Sequence, residues 1–213
     1  MSAIMAARLA VIAMLLLAVR DTPATEDASR GGGSARGRIL FRDDFSNGAG
    51  PGWSYDRTGV WSVEDGHLRA ELPAEKQQRS FAFAGSEQWS DYVVDLDVCG
   101  IKGADKGVAI RVAGEKKGIG FDLRGGRYND LLMYRGFEHW AKASVSNVNG
   151  TWNHLRIDAR KNRYRVYVDG KLEIDFTDES NTRPRGRIAL AAYTGGIGAC
   201  TVLYDNVEVR ALQ

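Results

Sequence analysis

Between residues 150 and 176 the chain reads GTWNHLRIDARKNRYRVYVDGKLEIDF, and apolar and polar positions alternate through HLRIDAR (154–160) and RYRVYV (163–168). A period of two marks a strand with one face buried and the other in solvent. Lys161-Asn162 and Asp169-Gly170 separate the alternating runs. Asp and Gly tolerate the positive φ that a two-residue reversal demands, so the segment predicts two consecutive antiparallel hairpins. The same patterning predicts strands at 39–45, 60–64, 67–71, 79–83, 92–99, 107–113, 118–124, 130–135, 186–193 and 200–210, with Asp65-Gly66 closing a further hairpin. No segment carries a helical period, and no fixed-period repeat emerges. Short strands at turn-punctuated spacing predict an all-β fold, a two-sheet antiparallel jelly-roll sandwich.

The first residues follow another pattern. Arg8 precedes LAVIAMLLLAV (9–19), an apolar run shorter than the roughly 20 residues a bilayer-spanning helix needs. Residues 1–24 are therefore expected to be a signal peptide, and TEDASRGGGSARG (25–37) a flexible linker too polar and Gly-rich to order itself. A single domain is expected over 38–213, secreted or periplasmic, with no membrane span after cleavage. Lys plus Arg number 29 against 27 Asp plus Glu, and the basic residues are scattered, so nucleic acid is not an expected partner. The two cysteines, Cys99 and Cys200, invite a disulfide in a secreted chain. If the strand before Cys99 runs antiparallel to the last strand, Cys99 faces Cys200 as Val94 faces Asp205. Parity opposes this, because Tyr92, Val94, Leu96 and Val98 would look inward and Cys99 outward, while a bulge at Asp205-Asn206 would shift the register by one. A bridge and two separate thiols both remain open.

The strand and turn motifs LFRDDF (40–45), WSVEDGHL (61–68), DYVVDLD (91–97), GVAIR (107–111), GTWN (150–153), VYVDG (166–170) and YDNVEV (204–209) together resemble the concanavalin A-like lectin/glucanase superfamily. Within it the chain is most similar to the laminin G-like and 3-keto-disaccharide hydrolase-like domains. The resemblance covers nearly the whole expected domain, but its motifs mark strands and turns, not a reaction. It implies two curved sheets with a concave face as the usual sugar-binding surface, and a carbohydrate as partner.

Laminarinase-type members carry Glu and Asp at alternating positions of one strand, because retaining cleavage needs two carboxyl groups about 5.5 Å apart. No such run exists here. Asp95 and Asp97 share a strand face opposite Val94, Leu96 and Val98, which reads as a solvated outer face. His67, His139 and His154 are too scattered for a zinc site, and no Gly-x-Ser-x-Gly nucleophile elbow occurs. A sugar-holding surface needs aromatic faces with planar charged groups beside them. If Val108, Ile110, Phe121 and Leu123 face the core, Arg111, Asp122 and Arg124 line the other face, with Asn129 and Tyr134 on the next strand and Trp140 in a loop folded over them. An exposed sheet face with cross-strand ion pairs is the plainer alternative. Trp53, Trp61 and Trp152 are expected in the core or at sheet edges. Asp122 and Glu138 are the candidate acid or base. By resemblance, Asp43, Asp44 and Asp205, on the first and last strands, are candidate ligands of a structural calcium, against the alternative that Asp43 and Asp44 cap turns. No cofactor is required. Three functions follow: a carbohydrate-binding domain recognising a glycan on its concave face; a hydrolase acting on 3-keto-disaccharides or glycosides; or a laminin G-like adhesion domain.

Overall fold

The computed structural model describes residues 37–74, 77–103, 105–114, 117–125 and 128–213; the expected signal peptide and nearly all of the expected linker lie outside them. Fifteen strands form in chain order: β1 (Ile39–Asp43), β2 (Trp53–Tyr55), β3 (Trp61–Glu64), β4 (His67–Leu72), β5 (Arg79–Ala84), β6 (Tyr92–Lys102), β7 (Asp105–Ala113), β8 (Lys117–Arg124), β9 (Asp130–Arg135), β10 (Glu138–Ser144), β11 (Trp152–Arg160), β12 (Arg163–Val168), β13 (Lys171–Thr177), β14 (Arg187–Tyr193) and β15 (Cys200–Ala211). They build an eight-stranded sheet, β13-β12-β11-β6-β15-β4-β3 with β1 also paired to β15, and a seven-stranded sheet, β10-β9-β8-β7-β14-β5-β2. All strand pairs within both sheets are antiparallel. Long crossovers join neighbours distant in sequence, as β6 with β15 and β7 with β14, giving the nested jelly-roll sandwich. Among the described residues no helix is long and apolar enough to cross a membrane.

The hairpins form where Asp and Gly permit them. Asp65 and Gly66 sit at φ of 50° and 76°, and Asp169 and Gly170 at 50° and 80°, the left-handed pair that matches strand twist. Between the sheets, Val94, Leu96 and Val98 of β6 and Leu155 and Ile157 of β11 meet Val108 and Ile110 of β7, Phe121 and Leu123 of β8 and Leu190 of β14, all buried. Each such side chain contributes roughly 1.5–3 kcal/mol on burial. Two buried tyrosines pin the layers together. The Tyr92 hydroxyl of β6 accepts from Arg111 N at 2.7 Å and donates to the Gly186 carbonyl at 3.0 Å. The Tyr204 hydroxyl of β15 accepts from Gly107 N at 3.0 Å and lies 2.6 Å from the Ala191 carbonyl.

The cysteines are free and buried. β6 and β15 are antiparallel as expected, but Cys99 stands opposite Leu203, and Val94 opposite Val209. The register differs from the one needed for a bridge, and a bulge follows Asp205 with Asn206 at φ 50°. Cys200 belongs to the core between the sheets, whereas Cys99 alternates with Val98 and turns away from it. Parity decided the matter against a disulfide.

Candidate functional site

The outward face of the seven-stranded sheet holds the candidate site, and strand register places its side chains in rows. The first row runs Arg79, Tyr193, Asp105, Arg124, Asp130 across β5, β14, β7, β8 and β9. The second runs Phe81, Ala191, Gly107, Asp122, Leu132, and the third Phe83, Ala189, Ala109, Gly120, Tyr134. The first row alternates in charge. Arg124 makes a two-pronged ion pair with Asp130, 2.6 and 2.8 Å, and lies over the Tyr128 ring at 4.3 Å. Asp130 also meets Lys142 at 2.9 Å.

Arg79 is held differently. Its guanidinium stacks on Tyr193 at 4.4 Å and approaches Tyr134 at 6.0 Å, and none of the ion pairs among the described residues uses it. Its donor fork faces the same surface as two buried carboxyl groups. Asp122 is only 7% exposed, and burial pushes its carboxyl up to about 7, with the Arg79 charge pulling the other way. Burial likewise raises Asp105 to about 6, opposed by Arg124 and Arg79. Asp105 Oδ1 is buried without a hydrogen-bond partner among the described residues. Tyr134 donates to Asp122 Oδ1 at 3.2 Å, and burial followed by that neighbouring charge raises its own pKa. Below Tyr134 and Arg79 runs a shallow groove enclosing about 60 Å³, floored by Ala109, Ala189, Gly118 and Gly120 and walled by Phe81 and Phe83. A Cβ on Gly120 would lie 2.3 Å from the Tyr134 ring, so the ring occupies space that only glycine leaves.

Of the residues singled out from the sequence, Asp122, Arg124 and Tyr134 meet on this face. Arg111 does not. A bulge in β7 after Ile110, with Arg111 at φ 51°, turns its side chain inward, where it is 0% exposed. There Nη1 donates to the carbonyls of Lys161 and Arg183 and to the Tyr164 hydroxyl at 2.8 Å, and Nη2 stands 3.4 Å from Asp91. Asn129 is an exposed corner at φ 48° whose carbonyl accepts from Val145 N. Trp140 lies in β10, not in a covering loop; it stacks on Phe176 at 5.3 Å against the core. Glu138, exposed at the start of β10, pairs with Arg135 at 2.9 Å, away from Asp122. Trp53 and Trp61 pack against the core, Trp53 bonding Asp43 and Trp61 bonding Ser80, whereas Trp152 is half exposed.

The calcium ligands do not converge. Asp43 already accepts from Phe45 N, Gly50 N and Trp53 Nε1 at 2.9, 2.8 and 2.7 Å, so its two oxygens brace the turn after β1. Asp44 accepts from Ser46, and Asp205 sits 3.9 Å from His67. Among the described residues no group of three or more His, Cys, Asp or Glu is arranged to hold a metal ion. These three aspartates do not fit a calcium that needs six to eight oxygen ligands.

Arg79, Phe81, Phe83, Tyr193 and Asp105 complete the face and were not foreseen. In RSFAFA (79–84) the signal was present but inverted: the small residues Ser80, Ala82 and Ala84 face the core and the large ones face out.

A family model of 3-keto-alpha-glucoside-1,2-lyase-like domains matches residues 41–210. The chain belongs to this family. Solved structures agree on the jelly roll that this lyase-like domain adopts. The carbohydrate-binding module CBM66 from Bacillus subtilis superposes with a TM-score of 0.64 at 18% identity, covering 75% of this chain and 96% of that one. A putative glycosyl hydrolase from Parabacteroides distasonis gives 0.55 at 18%, covering 75% and 99%. The exoplasmic/lumenal domain of VIP36, in a Ca2+/Man3GlcNAc-bound form, gives 0.60 at 13%, covering 81% and 88%. At these identities the likeness is one of fold. No protein of curated function matches the chain by sequence.

Proposed function

We propose that this is a secreted carbohydrate-binding domain that takes a glycan in the groove on the outward face of its seven-stranded sheet. One observation carries the reading: an arginine free of ion pairs among the described residues, Arg79, stacked on Tyr193 and near Tyr134, lines a groove whose floor is stripped to Gly and Ala. The guanidinium donates to vicinal hydroxyls, and Tyr134 and Phe83 offer apolar surface to a ring. The carbohydrate-binding and glycosyl-hydrolase relatives of the same fold support a sugar as ligand.

A second reading draws on the family and on the carboxyl pair. A 1,2-lyase acting on a 3-keto-glucoside removes the proton at C2, made acidic by the adjacent ketone, as the C1–O bond breaks and a C1=C2 double bond forms. Two carboxyl groups raised to about 6 and about 7 suit that exchange. Asp105, largely ionised at pH 7, would accept the C2 proton, and Asp122, half protonated, would give its proton to the departing oxygen. One experiment separates the two. Calorimetric titration with α-glucosides and their 3-keto forms is expected to show saturable binding that falls at least tenfold in Arg79→Ala, with equal loss for both forms under the binding reading. Consumption of the 3-keto form, abolished in Asp122→Asn while binding persists, establishes the lyase. Unchanged binding in Arg79→Ala moves the site off this face.

A further inference from the structure

The groove is polar at one end only. Below Tyr134 the outward positions are Phe83, Ala189, Ala109 and Gly120, then Arg187, Val112 and Gly118. Phe81, Phe83, Val112, Ala189 and Ala191 form an apolar cluster separate from the sandwich core, on the sheet's opposite side. Along β8 the outward positions Arg124, Asp122, Gly120 and Gly118 span about 20 Å, several times the width of one hexose. The bound sugar cannot fill this length if its hydroxyls are to reach Arg79.

Resting on the glycan-binding reading, we propose that the apolar half of the groove is a subsite for the aglycone of a glycoside, a flat aryl group and not a second sugar. A hexose carries hydroxyls around its ring, and each one moved out of water needs a partner. Apart from Arg79 and Tyr134 at the polar end, no residue lining the groove carries a charged or hydrogen-bonding side chain; beside it stand Arg187, whose guanidinium lies over the Phe83 ring at 4.5 Å, and Ser54, across from Phe83 on β2. The backbone groups of the floor are engaged in the sheet ladder between β7, β8 and β14. An oligosaccharide would strand its hydroxyls there. An aryl ring needs no partners, lies flat on Gly118, Gly120, Ala109 and Ala189, and meets the edge of Phe83. The patch is continuous with the polar end through Tyr134 and Gly120, so one molecule would occupy both.

The β9–β10 hairpin extends the same end. Its turn requires only Gly136, at φ 60°, yet the next position is Phe137, 105% exposed and therefore without a packing role. Gly136 itself lines the groove.

The test is a calorimetric series on the folded domain with methyl α-glucoside, phenyl α-glucoside, maltose and the 3-keto forms of the two simple glucosides. Burying a phenyl ring is expected to make the phenyl compounds bind about tenfold or more tighter than the methyl compounds. Maltose should bind no tighter than methyl glucoside. Phe83→Ala is expected to bring the phenyl-to-methyl ratio to about twofold. Phe137→Ala, at a position too exposed to affect folding, is expected to lower the phenyl affinity alone. Equal affinity for phenyl and methyl glucosides, or a preference for maltose over both, overturns the aglycone subsite and leaves glycan binding standing. Failure of every glucoside to bind overturns the glycan-binding reading and the subsite with it.

Discussion

Arg111 shows how one residue can escape strict alternation. Counting by twos through GVAIRVA places it outward with Ala109, but β7 gains a residue against β8 between Ile110 and Ala113, and Arg111 enters the left-handed region at φ 51°. Ile110 and Arg111 then both point inward, and Val112 outward. A bulge depends on tertiary demand: here the carbonyls of Lys161 and Arg183 at the end of the sandwich need a donor, and a guanidinium reaches both. No local sequence signal announces it. Removing the guanidinium would leave those acceptors and the Tyr164 hydroxyl unsatisfied in the interior, where each lost partner costs on the order of 1–3 kcal/mol. Arg111→Met is therefore expected to lower unfolding free energy by about 3 kcal/mol. Denaturant titration checks this, and groove affinity in the folded variant should be unaffected. A variant as stable as wild type would show that water already serves those carbonyls.

Whole elements were legible where the pattern was strong and turns were built from Asp-Gly. The hairpins at 65–66 and 169–170 formed as expected, and β6, β11, β12 and β15 alternate as the sequence does. A loop is expected around Trp140, and EHWAKAS has no β-branched residue; pairing with β9 makes it strand β10 despite that weak propensity. β5 shows a different limit. Periodicity says that Phe81 and Phe83 share a face, not which face, and hydrophobicity alone would send them inward. They go outward because Trp53 and Trp61 pack against the core and Ser80 receives the Trp61 indole N–H at 2.9 Å, leaving room only for small inward residues on β5. Three of the six binding residues chosen from the sequence accordingly meet on the face, while the aromatic wall opposite them was missed. The floor strand offers a direct check on this geometry. Gly120→Ala would push a methyl group into the Tyr134 ring, 2.3 Å away, and the ring can yield only by giving up its bond to Asp122. Melting temperature is expected to fall by only a few degrees, equivalent to about 1 kcal/mol. Glycan affinity should drop about tenfold, the loss of one hydrogen bond and a stacking surface. Unchanged affinity would show that Tyr134 takes no part in binding.

At the scale of the molecule the two outward faces differ in how some of their carboxyl groups are held. On the eight-stranded sheet charges are paired: His154 bonds Asp97 at 2.8 Å and Asp95 at 3.3 Å, and Arg163 meets Asp175. Hydrogen bonds donated to Asp95 and Asp97 raise His154 to about 9. The His154 bond lowers Asp97, and the Arg163 bond lowers Asp175. On the seven-stranded sheet Asp105 and Asp122 are raised by burial. Linkage fixes the signs. The lowered carboxyls stabilise the fold above their ordinary pKa near 4 and lose that contribution as pH falls. The raised carboxyls act oppositely: the folded state holds their protons more tightly, so stability declines as pH rises from near 4 through 6 and 7. His154 contributes fully below about 6.5, and its share is lost as pH rises through 9. From these groups stability should peak on the acid side of neutrality, at about pH 5, and fall in two stages toward pH 9, while Lys106, lowered by burial to about 8, acts the other way and adds stability above that pH. Asp105→Asn with Asp122→Asn is expected to remove the first stage and flatten the profile from pH 5 to 7, and His154→Gln to remove the second. Thermal scans across pH 3 to 10 would show this directly. A wild-type maximum above pH 8 would mean that the two carboxyls are solvated in the native protein. The site would then have lost the buried acid on which the lyase reading depends, while the stacking surface for a glycan would remain.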